Sequence, residues 1–177
     1  MKSSSAFSLI ELMLVMAIIG ILLTLWLPQA QQYFERSRSI ICMNNLRQTG
    51  VIVNNYISDH NYFYPEVETD PANPVYLQNT LPGMQDTFQP YGLSQNLLRC
   101  PSDMAANKQY NLRGTSYEWR PFIDDENYNA PQIYTRRGPH TVSPRRLRLV
   151  TDIDAVHFGR QNALYADGHV LAITTTP

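Results

Sequence analysis

The chain has 177 residues, a formal net charge of −1 and only two cysteines. Near-neutral charge argues against a broad nucleic-acid-binding surface, so no nucleic-acid partner is expected. One composition break divides the chain: residues 12–27 carry no charge, whereas the remainder is polar and rich in Asn, Gln, Tyr and Pro. Removing the first 60 residues leaves enough chain for one small core and too little for two.

Phe7 to Leu27 is an apolar run that can cross the hydrocarbon layer as a helix at about 1.5 Å per residue. It reads as a signal peptide, a plain anchor or a buried core helix, and Glu11 fits none of the three. An ionised carboxylate this far inside an apolar segment costs several kcal/mol unless paired, and such a group is by default functional. The nearest partner is an α-amine on a neighbouring chain, created by a cut before Phe7.

Beyond Pro28 the helical period resumes. Cys42, Leu46, Thr49, Val53, Tyr56 and Ile57 share one face, and Ile41 and Ile52 form a second apolar stripe. The second stripe packs either into the same core or on other helices. Asn54, Asn55, Ser58 and Asp59 weaken the helix and Pro65 blocks its continuation. The predicted rod, from residue 7 to about residue 60, would be about 80 Å long and broken or bent near Pro28.

Twelve Pro and eight Gly, most of them beyond residue 60, predict short strands and ordered loops. Leu97–Asp103 reads as a short strand ending in a turn, Ser116–Arg120 as a second strand, and Leu147–Thr151 as a third. In this last one Arg145, Arg146 and Arg148 face water and Leu147 and Leu149 face inward. Residues 163–166 and 169–173 are alternating apolar runs joined by Asp167-Gly168, a β-hairpin signal. The expected fold class is α+β, a long N-terminal helix packed against a small antiparallel sheet. An export segment puts Cys42 and Cys100 where thiols are oxidised, so the pair is expected as a disulfide.

The run Ala6-Phe7-Ser8-Leu9-Ile10-Glu11-Leu12, followed by apolar residues, resembles the signal of type IV prepilins and type II secretion pseudopilins. The resemblance implies a cleaved leader at 1–6, a transmembrane helix at 7–27, its extension at 28–60 and a loop-rich β domain at 61–177. It implies cleavage between Ala6 and Phe7 by prepilin peptidase, N-methylation of Phe7, a helix kink at Pro28 and assembly through the charge of Glu11. Ala6 departs from the family, where Gly is usual. The implied partners are other pilin-like subunits, the peptidase and methylase, and the bacterial inner membrane, with the C-terminal domain in the periplasm or on the surface.

His157, followed after nine residues by Asp167-Gly168, resembles the C-terminal signature of a pseudopilin-like subclass of diderm bacteria. Cys42–Gln48, Tyr62–Pro65 and Cys100–Asp103 are similar to that subclass too. His157 and Asp167 suit an acid–base pair or a metal site, and Asp152, Asp154 and Asp167 are the oxygen donors available to calcium. No calcium loop has regular ligand spacing, so the expectation is a structural protein without catalytic residues or cofactor. Asp167-Gly168 then makes the turn and His157 holds the preceding loop. The competing reading is an anchored binding module that does not polymerise. Its sugar-stacking surface would draw on Tyr62, Tyr64, Tyr76, Tyr91, Tyr110, Tyr117, Trp119, Tyr128 and Tyr134.

Overall fold

The computed structural model describes residues 8–68, 81–106, 109–120, 123–135 and 138–174. The chain forms two compact units, Met1–Arg36 and Ser37–Pro177. Helix α1, Leu9–Asp59, contributes to both. It is helical on both sides of residue 28, so the proline there does not end it.

In the first unit α1 begins after Ser8, whose carbonyl accepts from the amides of Glu11 at 3.1 Å and Leu12 at 3.2 Å. Its large apolar side chains from Leu9 to Leu27 are all exposed. The Thr24 hydroxyl bonds back to the Ile21 carbonyl at 2.7 Å, which keeps that polar group satisfied within the helix.

In the second unit the rest of α1 buries Cys42, Leu46, Thr49, Val53 and Ile57 against the sheet, the face that the 3.6-residue period predicts. The second stripe divides: Ile52 is buried and Ile41 is 46% exposed. Gly50 lets the helix approach closely, because a Cβ there would lie 3.0 Å from Leu164 Cδ1. The helix stops at Asp59, where Asn61 and Tyr62 turn into the left-handed region with φ of 53° and 65°. That conformation is tolerated by Asn and is strained for Tyr.

Six strands follow the helix: β1 (Tyr117–Trp119), β2 (Gln132–Thr135), β3 (Gly138–Thr141), β4 (Arg148–Asp152), β5 (Arg160–Tyr165) and β6 (Val170–Thr174). The main sheet has the order β1-β4-β5-β6 and is antiparallel throughout. A separate ribbon joins β2 to β3. Short helices α2 (Met84–Phe88), α3 (Pro101–Ala106) and α4 (Gln109–Arg113) and one 3-10 turn (Gln89–Tyr91) fill the connections. Tyr56, Phe88 and Trp119 form an aromatic core line, with centroids 5.6 Å apart at each step. The α+β architecture of long helix and small antiparallel sheet is the one expected.

Three local expectations need correction. Leu97–Asp103 is not a strand: successive i to i−3 bonds turn the chain over Ser94–Arg99, and α3 starts at Pro101. Pro fits a first helical position because its missing N–H would have no partner there. The Arg-rich run begins in a turn, and only Arg148 lies on β4, although Leu147 and Leu149 are buried and the arginines exposed as predicted. The hairpin loop has three residues rather than two. Gly168 N donates to Tyr165 O at 2.9 Å and Gly168 takes φ +85°, a turn followed by a left-handed glycine.

Candidate functional site

The candidate functional residues lie in two regions, one in each unit. In the first, Glu11 occupies the third helical position of α1, in the first turn. Unpaired amides and the helix dipole favour a carboxylate there. The spacing Ser8-x-x-Glu11 is also that of a capping box. Around it the helix surface is apolar, with Leu9 81%, Ile10 76% and Trp26 66% exposed. This is the one helix among the described residues long and apolar enough to cross a membrane. Ala6 and Phe7 lie outside the described residues, as does the side chain of Pro28.

In the second unit the polar residues that matter are buried beneath α1. Cys42, on α1, and Cys100, just before α3, form a disulfide across a sequence separation of 58. Asn45, one turn beyond Cys42, donates to the Arg99 carbonyl at 3.0 Å and fixes the chain entering Cys100. On the other side, Cys100 N donates to Ser116 Oγ at 3.1 Å, and Ser116 Oγ donates to Asp103 Oδ2 at 2.6 Å. Asp103 also accepts from the amides of Gln109 and Tyr110, both at 2.9 Å, which anchors the first turn of α4.

His157 enters the same cluster from the loop before β5. Its backbone pairs with Arg160 across a tight turn in which Phe158 and Gly159 both have positive φ, 53° and 74°. That is the two-residue turn whose twist suits a hairpin. The buried imidazole brings Nε2 to 3.3 Å from Cys100 Sγ and 3.4 Å from Asp152 Oδ2. Asp152 sits at the end of β4, opposite Tyr117, and its Oδ2 accepts from Asn162 N at 2.6 Å. Burial pushes the Asp152 carboxyl up to about 7; hydrogen bonding from Asn162 holds it back in part and the Asp103 charge adds to the rise.

The signature residues are therefore not one site. His157 closes the turn before β5, whereas Asp167 lies beyond its far end. Six strand residues at about 3.3 Å each separate them by about 20 Å. Asp167 pairs with His169 and lies 3.8 Å from Arg145 Nε. Burial would raise its pKa, but the hydrogen bonds from His169 and the His169 and Arg145 charges outweigh that and lower it. Of the oxygen donors considered for calcium, Asp152 faces His157, Asp154 accepts from Gln109 Nε2 at 2.9 Å, and Asp167 pairs with His169. Among the described residues, the group of three or more close metal-ligating side chains is Cys42, Cys100 and His157. Of the aromatic residues, Tyr64, Tyr117 and Trp119 are buried, Tyr62 and Tyr134 are exposed, and Tyr76 lies outside the described residues.

Sequence reasoning missed Asp103 and Ser116 as the support of the disulfide, and Asp152 as the partner of His157. Asp103 had a local signal, an acidic residue two places after a proline at a helix start. Asp152 and Ser116 had none, because strand pairing alone brings them together.

No curated protein and no solved structure matches the chain. Residues 1–27 match the prokaryotic N-terminal methylation motif. The apolar, exposed helix from Leu9 to Leu27 lies within those residues, and the chain carries the type IV prepilin and pseudopilin signal, the mark of a pilin-like substrate of prepilin peptidase.

Proposed function

We propose that the protein is a structural subunit, a pseudopilin or pilin-like protein, of a type II secretion or type IV pilus-like filament. It is held in the bacterial inner membrane until assembly, with the unit from Ser37 onward on the periplasmic side. The observation that supports this reading most is the first stretch of α1, an exposed apolar surface with a carboxylate in its first turn, within a methylation motif. Such a surface needs lipid or neighbouring helices around it. Cleavage before Phe7 would leave an ammonium group four residues from Glu11, and the carboxylate of one subunit would neutralise the amine of the next. Both charges are buried only in the assembled state, so the pair selects register rather than folding.

A plain anchor for a binding module would use Glu11 only to cap the first turn of its helix. The burial of Tyr64, Tyr117 and Trp119 also removes three residues from any stacking surface. The test combines processing and assembly. Intact-mass measurement should find residues 1–6 lost and one methyl added at Phe7. Glu11→Leu should leave insertion and cleavage intact and abolish subunit crosslinks in native membranes, with Glu11→Asp intermediate. A mature N-terminus near residue 30 would mean an ordinary signal peptide. Normal filaments from the Leu variant would refute the charge-pair mechanism.

A further inference from the structure

A cavity of about 170 Å³ in the second unit is lined by Arg120, Arg146, Arg148, Ile123, Ile133 and Leu147. Sheet pairing and one turn bring the three arginines to it. Arg120 directly follows β1, and its amide donates to the Leu149 carbonyl of β4 at 2.9 Å. The Ser143 carbonyl accepts from the amides of Arg146 at 2.8 Å and Leu147 at 3.2 Å, a turn that delivers Arg146, and Arg148 opens β4. Ile133 comes from β2, and Ile123 and Leu147 are buried.

Two features of this cavity go beyond packing. The first is charge. Among the described residues no carboxylate lines it, and the nearby Arg145 is the arginine that approaches Asp167, at 3.8 Å. Three like charges around one small volume repel one another, and the apolar walls limit the screening. The second is Arg120, which is half-buried and whose Nε is buried without a hydrogen-bond partner. Arginine stems often lie on apolar surface with their heads in water, as the exposed Arg146 and Arg148 do. Arg120 departs from that pattern, because a buried donor without an acceptor costs free energy. An anionic acceptor in the cavity removes both costs.

We propose that this cavity binds the phosphate group of a phosphate monoester, with Arg120, Arg146 and Arg148 as its donors. Three positive charges favour a group with more than one negative charge, and a phosphate monoester carries about 1.5–2 at pH 7. A carboxylate carries one. The guanidinium fork presents paired N–H donors that match phosphate oxygens. Ile123, Ile133 and Leu147 take the carbon side of the ester, so an aryl ester binds more tightly than inorganic phosphate. The site lies wholly within the second unit and holds whether or not the subunit polymerises. A soluble ester and a lipid headgroup both present this chemistry, and the test separates the two.

The full chain in an uncharged detergent is titrated calorimetrically with phenyl phosphate, inorganic phosphate and benzoate. The expected result is one phenyl phosphate per chain, bound about 10-fold more tightly than benzoate, and a weakening of that binding by added salt. Inorganic phosphate should bind less tightly than phenyl phosphate. Arg146→Gln and Arg148→Gln change exposed side chains, and each should weaken binding about 10-fold with near-UV circular dichroism unchanged. Arg120→Lys keeps the charge, loses the Nε–H and should weaken binding as well. Arg47→Gln, exposed on α1, should leave it unchanged. Wild type that does not bind phenyl phosphate, benzoate bound as tightly, or binding unchanged in the Arg146→Gln, Arg148→Gln double variant overturns the proposal. The source follows from bilayer discs of phosphatidylcholine with and without phosphatidic acid. Displacement of phenyl phosphate by phosphatidic acid supports the site as one for a lipid headgroup, and undiminished binding supports it as one for a soluble ester.

Discussion

Replacing both Cys42 and Cys100 with Ala tests how far one covalent bond holds the second unit together. The bond closes a loop with a sequence separation of 58, and joins α1 to the segment just before α3. Loop-closure entropy for that length corresponds to about 4 kcal/mol at 25 °C. Both residues are buried, at 0% and 1% exposure, so loss of sulfur packing adds to the cost rather than offsetting it. Domains of this size are stable by about 5–15 kcal/mol, so the loss is a large fraction of the total. With a urea slope of about 2 kcal/mol/M, the unfolding midpoint should fall by about 2 M. The assay is urea unfolding of the full chain in detergent, followed by near-UV circular dichroism with a chelator present. Oxidised wild type, reduced wild type and the double Ala variant are compared. Reduced wild type should track the variant. In the oxidised protein, thiol labelling in denaturant should find neither cysteine reactive until reductant is added. A double variant whose midpoint stays within about 0.5 M of oxidised wild type, at unchanged slope, would falsify the view that the bond restrains the unfolded chain.

Two further outcomes rest on buried carboxylates. Asp103→Ala removes the acceptor of three donors, Ser116 Oγ and the amides of Gln109 and Tyr110. The expected loss is about 2–4 kcal/mol, and hydrogen exchange at the start of α4 should rise with it; unchanged exchange there would refute the anchoring role. Asp124 accepts from Trp119 Nε1 at 2.9 Å, and its carboxyl is pushed up to about 6. Burial is the main cause, the Trp119 bond opposes it, and the Glu66 and Glu68 charges add to the rise. A carboxyl whose pKa is higher folded than unfolded contributes stability below about pH 4 and loses it as pH rises through about 6. Allowing for solvent screening of this half-buried group, the loss is about 1–2 kcal/mol. Asp124→Asn keeps the acceptor for Trp119 and should match wild type at about pH 4.5 and exceed it at about pH 7.5 in urea unfolding. A variant less stable than wild type at the higher pH would contradict the sign.

What the amino-acid order determined by itself is what short-range periodicity and local chemistry control. The uncharged run behind Phe7, the carboxylate at Glu11, the buried helix face from Cys42 to Ile57 and the hairpin around Gly168 each depend on neighbours within about four residues. All were legible before any packing was known. Turn chemistry was legible less fully, because Asp-Gly suits both a two-residue and a three-residue loop and only the register Leu164↔Val170 selects the longer one. The tertiary structure alone decided the rest. Ile52 and Ile41 share a stripe, yet only Ile52 is buried. Leu97–Asp103 alternates like a strand, but the disulfide and Asn45 hold it at α1 and Pro101 starts a helix there. His157 lies ten residues before Asp167 in the chain, yet meets Asp152 and Cys100. An extended strand carries Asp167 away, while antiparallel pairing returns β4 to the start of β5. Contacts of that kind depend on strand register and loop closure over tens of residues, and a local pattern carries no record of either.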